Sequence, residues 1–230
     1  MSKKVSHGDE NLEAIEHTLS NAESFIQKYQ KPLTYGFGAA LLLVAAFFAY
    51  QNWYKAPLEE EAQAQMFAAV QYFEQDSLSL ALNGDGSNLG LLDVASQYGS
   101  TKAGNLANFY AGLCYLHTGV YDEALTFLKK YSPADNLSRA LSCGNMGDAY
   151  SELKDYSNAA SYYKKAANAD DNRLTSPRYL MKAGLVLEAE AKFAEAAKLY
   201  EQVKKDFPET NEGREAEKYL ARAQMLAEQK

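Results

Sequence analysis

"NFYAGLCYLHTGVYDEALTFLKKY", residues 108–131, decides the fold because its pattern returns twice further along the chain. "CGNMGDAYSELKDYSNAASYYKKA" begins at Cys143, and "LMKAGLVLEAEAKFAEAAKLYEQV" begins at Leu180. The three segments are spaced by 35 and 37 residues. One helical hairpin of this length cannot bury its own apolar face, so a repeat of this kind predicts hairpins that stack on one another.

Four positions coincide in all three segments, and each holds a small residue or a bulky apolar one. A small residue at a helix crossing lets two antiparallel helices approach, and the larger side chains fill the space beside it. The coinciding sets are Gly112, Gly147 and Gly184; Tyr121, Tyr156 and Phe193; Ala124, Ala159 and Ala196; and Leu128, Tyr163 and Tyr200. The pattern therefore predicts an all-α fold built from packed helix pairs.

This spacing resembles the tetratricopeptide repeat, a helix–turn–helix unit of about 34 residues with small and aromatic residues at fixed positions. The resemblance covers residues 105–210 in three units and implies an α-solenoid. Pro208 stands where the family often ends a unit, whereas no Trp opens any unit and Leu187 stands where the first two units have Tyr115 and Tyr150. An unrelated helical bundle is the alternative.

The sequence on either side of the three units extends the array. "LLDVASQYGST", residues 91–101, matches the pattern of "YEQVKKDFPET", residues 200–210. Residues 55–104 are therefore interpreted as a degenerate first repeat, whose first helix is "LEEEAQAQMFAAVQYFEQ" at 58–75 and whose glycine-rich segment 83–90 is a turn between two helices. Residues 211–230 are interpreted as a capping helix with a polar outer face.

Ahead of the repeats, residues 33–54 carry no charge. At ~1.5 Å per residue a helix of this length spans about 33 Å, close to the ~30 Å apolar thickness of a bilayer. Tyr35 lies at one end and Tyr50, Trp53 and Tyr54 lie at the other, where aromatic rings favour the membrane interface. Pro32 suits a first helical position. We expect an uncleaved transmembrane helix; a buried core helix and a cleaved signal peptide are the alternatives.

The charges beside this span predict its orientation. Lys28 and Lys31 precede it and only Lys55 follows closely, which favours a cytoplasmic segment 1–32 and a C-terminal domain in the periplasm. The segment 1–32 also carries an apolar stripe at helical spacing, which could pair with itself, pack on a partner helix or lie on the membrane. The stripe consists of Leu12, Ile15, Leu19, Ala22, Ile26 and Tyr29.

Composition and motifs argue against catalysis and against nucleic acid. A net charge of −7 repels phosphate backbones. His7, His17 and His117 are isolated from other ligand residues, so we expect no metal site, and no nucleotide or nucleophile motif is present. Cys114 and Cys143 fit buried thiols, or a bridge between neighbouring helices. We therefore expect no enzyme activity and no cofactor.

The remaining candidate site is the concave groove, which in this family is lined by the first helix of each unit. The resemblance places Leu106, Phe109, Leu113 and Leu116 there in the first unit, Leu141, Gly144, Asp148 and Glu152 in the second, and Arg178, Met181 and Leu185 in the third. Leu106, Phe109, Leu113, Leu116, Met181 and Leu185 are the predicted apolar floor for a partner. The helix at 58–75 could instead fill the groove from within.

The layout of the whole chain resembles the membrane-anchored ancillary SecYEG translocon subunit family. That resemblance implies an inner-membrane protein whose repeats face the periplasm and bind a membrane-anchored chaperone, the translocon or emerging chains. The alternative is a structural scaffold that organises a cell-envelope assembly through its repeats and an oligomerising N-terminal helix.

Overall fold

The computed structural model describes the backbone of residues 7–170 and 172–229, and the side chains of 28–32, 34–170 and 172–229. Helices and connecting turns account for these described residues, without a β-strand. The chain divides into two compact units, Met1–Pro57 and Leu58–Lys230.

The first unit is dominated by α1, His7–Tyr50, which is followed by a π-helical segment, Gln51–Lys55. Pro32 lies inside α1, so it is not the first residue of a separate helix as the sequence predicted. A proline removes one backbone hydrogen bond, and the long helical stretches on both sides tolerate that loss. The apolar stripe from Leu12 to Ile26 lies outside the described side chains.

The uncharged part of α1 is exposed. Phe37, Leu42 and Leu43 are among its large apolar side chains, and each is mostly exposed. Within the described part of the chain, residues 28–74 contain one stretch that is long and apolar enough to cross a membrane, and none of that stretch is buried. The structure therefore gives no support to the alternative of a buried core helix.

The second unit is a row of helices that pack on their neighbours in sequence. The helices are α2 (Ala56–Glu74), α3 (Leu78–Asn83), α4 (Leu91–Gln97), α5 (Lys102–His117), α6 (Tyr121–Lys130), α7 (Asn136–Glu152), α8 (Tyr156–Ala169), α9 (Ser176–Ala189), α10 (Phe193–Asp206) and α11 (Asn211–Glu228). The hairpins α5–α6, α7–α8 and α9–α10 are the three predicted units, and α11 packs on α9 and α10.

Glycines set the close approach within each hairpin, as the sequence predicted. A Cβ atom added at Gly147 would lie 2.6 Å from the Tyr163 ring, and one added at Gly184 would lie 2.4 Å from the Tyr200 ring. The matching alanines, Ala124, Ala159 and Ala196, are fully buried. The small residue of one helix therefore accommodates the large side chain of the other, Leu128 in the first unit and a tyrosine ring in the second and third.

The turns inside the hairpins share one backbone geometry. Asp76, Gly119, Lys154 and Ala191 adopt left-handed φ angles of 57°, 77°, 59° and 57°. In each turn, the residue that follows the left-handed one donates its backbone N–H to a carbonyl in the last turn of the preceding helix. In the first unit, where Gly119 is left-handed, Val120 N–H donates to the Tyr115 carbonyl at 2.9 Å. This is the hydrogen bond that closes a helix C-terminus when one residue enters the left-handed region.

The turn at Asp76 shows how the degenerate repeat is built. Ser77 N–H donates to the Tyr72 carbonyl at 2.8 Å, so the hairpin turn follows α2, and α3 begins the second helix of this unit. The glycine-rich segment 84–90 separates α3 from α4. It therefore interrupts the second helix of the unit, and the turn between the first and second helices is at Asp76.

The end of this degenerate unit repeats the end of the third unit. Thr101 Oγ1 donates to the Tyr98 carbonyl at 2.7 Å and accepts from Gly104 N–H at 2.9 Å. Thr210 Oγ1 makes the equivalent bonds to Phe207 and Gly213 at 2.9 and 3.0 Å. Both threonines are the N-caps of the next helix. This shared cap is what the sequence match between 91–101 and 200–210 reflects.

Candidate partner-binding groove

The first helices of the units are neighbours in space: α2 and α5 share a cavity, α5 contacts α7, and Asp148 on α7 pairs with Lys182 on α9. Of the predicted groove residues, Leu106 and Leu185 are exposed to 37% and 41%, and Leu141 is similarly exposed. Phe109, Leu113 and Leu116 are half-buried. Phe109 and Leu116 pack against the core cluster that joins α6 to α7.

Two predicted groove residues, Gly144 and Met181, lie inside the protein. Gly144 faces the Tyr179 ring, and Met181 is exposed to only 7% and belongs to the core of α7 to α11. The adjacent Lys182 is half-exposed and directs its ammonium group towards α7. In the third unit, therefore, Lys182 and Leu185 are accessible where Met181 is not.

An apolar cavity of about 330 Å³ lies between α2 and α5. Its apolar lining comes from Met66, Phe67 and Val70 on α2 and from Ala103 and Leu106 on α5. Phe67 is the most exposed of these side chains, at 65%. Of this set the sequence identified only Leu106, because the helix register of a degenerate repeat was not fixed by the aligned units. The four-residue step from Met66 to Val70 was the available signal.

Carboxylates of α2 tie that helix to the start of α5. Glu59 accepts hydrogen bonds from the N–H groups of Lys102 and Ala103 at 2.6 and 3.1 Å. Burial raises the pKa of Glu59, but the Gln63 amide and these N–H donors outweigh it and hold the pKa below its usual value. A carboxylate at this position also matches the positive end of the α5 dipole.

The position of α2 bears on whether the groove is filled from within. Ala62, Met66 and Ala69 pack in the cluster that also contains α3, α4 and α5, and Glu61 accepts from the Tyr98 hydroxyl at 3.0 Å. The helix thus lies beside α5 as a further first helix of the array. Leu106, Leu141 and Leu185 stay exposed in its presence.

A polar cluster occupies the middle of the groove. Asp148 accepts hydrogen bonds from the Tyr163 hydroxyl and from the Lys182 ammonium, both at 2.6 Å. Burial, followed by the Asp148 carboxylate, raises the pKa of Tyr163 well above its usual value. Leu116, Asn145 and Glu152 also line the surrounding cavity, whose volume is about 410 Å³. Asp148 and Glu152 were identified from sequence, whereas Lys182 was missed.

Cys114, Cys143 and His117 lie among side chains that give them no ligand set, whereas the side chains of His7 and His17 lie outside the described residues. Cys114 and Cys143 are free thiols, and burial raises the pKa of Cys114 to about 12. The His117 ring lies 5.9 Å from the ring centroid of Phe73. Within the part of the chain that the structure describes, no group of three or more His, Cys, Asp and Glu side chains could hold a metal ion.

Comparison with known proteins identifies tetratricopeptide repeats in the chain. Residues 142–175 and residues 178–210 each match a family described as tetratricopeptide repeat. These segments contain α7–α8 and α9–α10, so the repeat prediction is confirmed for the second and third units. No curated protein is significantly similar to the chain.

Two solved structures share the fold. Both are crystal structures of nearly identical TPR-like repeats from a Podosopora anserina protein described as a kinesin light chain, one of them a single-substitution variant. The variant is 17% identical with a TM-score of 0.56, and the other is 16% identical with a TM-score of 0.57. Each match covers 75% of this chain and 89% of that chain. At this identity the likeness concerns the fold alone, an all-helical TPR-like solenoid.

Proposed function

We propose that this protein is a membrane-anchored module that binds other proteins and that its groove holds an apolar segment of a partner. The observation that carries the proposal is the apolar cavity between α2 and α5, beside an accessible Phe67 and Leu106. Tetratricopeptide repeats generally bind proteins, and a buried aromatic anchor in a pocket is the usual centre of such an interface. The protein acts by binding and not by catalysis.

The proposed location is the inner membrane, with residues 33–54 in the bilayer and the repeats in the periplasm. The uncharged, exposed stretch of α1 and the lysines before it support this orientation. The layout of the chain also supports a role beside the Sec translocon, where the partner is a membrane-anchored chaperone, a translocon subunit or an emerging chain. The N-terminal helix offers a route to oligomers.

Copurification of the full chain from membranes in a mild detergent tests the groove. We expect Phe67→Ala with Leu106→Ala to weaken partner capture about tenfold or more, since losing ~1.4 kcal/mol of binding changes affinity tenfold. Leu153→Ala with Leu174→Ala is the matched control, because both side chains are exposed apolar residues outside the groove. Equal capture by the two double variants, with equal melting temperatures, would reject the groove.

The identity of the captured proteins tests the location. Translocon subunits or periplasmic chaperones are expected. Cell-wall or outer-membrane machinery would instead favour the alternative function, a scaffold of a cell-envelope assembly. Neither result depends on the groove variants, so the binding surface and the partner class are tested separately.

A further inference from the structure

A third cavity, of about 520 Å³, lies between α7 and α8. Its lining consists of Arg139, Cys143, Ser161, Lys164, Lys165, Asn168 and Ala169, and we call it the basic cavity. Every charged residue of this lining is a cation. The cavity beside α2 contains both Glu59 and Lys102, and the polar cluster of the groove balances Lys182 with Asp148. A single sign of charge therefore distinguishes the basic cavity from the two cavities of the groove.

The basic cavity is on the opposite side of α7 from the groove. An α-helix turns about 100° per residue, so Cys143 lies about 200° beyond the groove residue Leu141. Arg139 is one turn before Cys143 on the same side of the helix. A ligand in the basic cavity would thus leave the groove free.

The cations of this cavity are not neutralised by the described residues around them. Arg139, Lys164 and Lys165 form no ion pair with any described side chain, in contrast with Lys182, which is paired with Asp148. The Lys165 ammonium lies 4.4 Å from the Tyr162 ring centroid, a contact that leaves its positive charge in place. The carboxylate of Asp170, which follows the lining residue Ala169, accepts a hydrogen bond from the Asn172 amide at 2.6 Å and not from one of these cations.

The positive charge reaches the floor of the cavity. Burial raises the pKa of the Cys143 thiol, while Lys165 and Arg139 act in the opposite direction and favour its thiolate. Ser161 and Asn168 add a hydroxyl and an amide as neutral hydrogen-bond donors at the lining. The arrangement suits a carboxylate, which accepts from charged and neutral donors together.

We propose that the basic cavity is a second docking site, which takes an acidic segment of a partner protein through Arg139, Lys164 and Lys165. The net charge of −7 disfavours long polyanions such as nucleic acids or an anionic membrane surface, because they would meet the acidic remainder of the chain. A short run of Asp or Glu side chains is small enough to contact the three cations of the cavity without approaching the acidic remainder of the chain. The site is independent of the groove and of the partner proposed for it.

The preceding repeat supplies a matched control. Lys129 and Lys130 occupy the positions in α6 that Lys164 and Lys165 occupy in α8, 35 residues later. Lys129 lies over the Tyr150 ring and Lys130 over the Phe127 ring, at 5.4 and 4.6 Å from the centroids, and neither lines the basic cavity. Removing either lysine pair changes the net charge equally.

Fluorescence anisotropy with a labelled peptide of glutamate residues tests the proposal on the full chain in an uncharged detergent. We expect saturable binding that weakens with added salt. Lys164→Gln with Lys165→Gln should lower the affinity about tenfold or more, whereas Lys129→Gln with Lys130→Gln should leave it nearly unchanged. The groove variant Phe67→Ala with Leu106→Ala should also bind the peptide normally.

Thiol labelling gives a second readout at the same place. Cys114 is buried with its pKa raised to about 12, so Cys143 dominates the reaction. An anionic methanethiosulfonate should react faster than a cationic one of similar size, and Lys164→Gln with Lys165→Gln should abolish that preference. Absence of saturable binding, an equal loss in both lysine variants, or tighter binding to an oligonucleotide or to anionic vesicles would each overturn the proposal.

Discussion

At the scale of single residues, the hairpin turns of the second and third units place a residue other than glycine at a positive φ angle. Of Gly119, Lys154 and Ala191, which hold equivalent places in three units, only Gly119 is the residue type that adopts this geometry without strain. An L residue in this region costs roughly 1–2 kcal/mol. The turns at Lys154 and Ala191 form because the hairpin on either side determines the chain path.

Lys154→Gly should therefore stabilise the protein. Relief of the left-handed strain exceeds the extra entropy that glycine loses on folding, so we expect a gain of about 0.5–1 kcal/mol. Urea unfolding of the full chain, followed by circular dichroism, measures it. Lys198→Gly, in the interior of α10, is the control and should instead lose about 1 kcal/mol. A loss at Lys154 as large as the loss at Lys198 would contradict the strain argument.

At the scale of elements, the side-chain pair that joins the two helices of a hairpin differs from unit to unit. Tyr163 on α8 meets the acceptor Asp148 on α7, whereas the equivalent residues of the first unit, Leu128 and Leu113, are both apolar. In the third unit the equivalent residues are Tyr200 and Leu185, so only the second unit places a carboxylate opposite its tyrosine. A buried hydroxyl that is left without an acceptor costs ~1–3 kcal/mol.

Replacing the acceptor alone should cost more than replacing the pair. We expect Asp148→Leu to destabilise the chain by about 1–3 kcal/mol, since the buried Tyr163 hydroxyl loses its acceptor and Lys182 loses its ion-pair partner. Adding Tyr163→Phe should recover part of that loss, although Tyr163→Phe on its own is destabilising. A double-mutant cycle, with each unfolding free energy measured in urea, gives the interaction free energy between Asp148 and Tyr163. Strict additivity would mean that the hydrogen bond contributes nothing.

The segment 84–90 is held by one carboxylate. Asp85 accepts from the Tyr72 hydroxyl at 2.7 Å, from the N–H groups of Ser87 and Asn88 at 2.8 and 2.6 Å, and from the Asn88 amide at 2.9 Å. Chiefly the Tyr72 hydroxyl, and then these Asn88 and Ser87 donors, hold the pKa of Asp85 well below its usual value.

The low pKa of Asp85 predicts how stability depends on pH. A group whose pKa is lower in the folded chain stabilises it above the unfolded pKa of ~4, and this contribution is lost as pH falls towards the folded pKa. Asp85→Asn should therefore destabilise the protein at neutral pH, with the difference shrinking below about pH 4. Urea unfolding across this range measures it.

Much of the architecture could be predicted because helix packing depends on the size of the side chains at positions that recur with the repeat. Gly147 and Gly184 fit against tyrosine rings, and Ala159 is fully enclosed, as the repeat pattern required. The groove was harder to predict, because one residue of register decides whether Met181 or Lys182 is accessible. The hairpin turn at Asp76 could not be found by matching residue types, since its geometry comes from backbone hydrogen bonds that several residue types allow.

At the scale of the whole molecule, the proposed anchor makes two predictions about location. The full chain should remain with membranes after alkaline extraction, because exposed Phe and Leu side chains of α1 favour lipid over water. Leu43→Arg with Val44→Arg should release it into the soluble fraction, since each charge at the middle of a membrane helix costs ~2.5–3.5 kcal/mol.

Orientation is tested on spheroplasts of the producing cells. Added protease should digest residues beyond Lys55 and spare the segment before the span. Protection of the C-terminal repeats would reverse the orientation. Loss of the N-terminal segment on secretion, detected by its mass, would favour a cleaved signal peptide.

The interruption between α3 and α4 has a consequence for the order in which the protein opens. These helices have only six and seven residues, and helices this short are marginal unless neighbours hold them. In a linear array each repeat relies on adjacent repeats, so a weak unit beside a well-packed one opens without unfolding the rest. Backbone amides of Leu82 and Val94 should therefore exchange with deuterium well before that of Tyr163, and the chain should refold from α7–α10 towards α3.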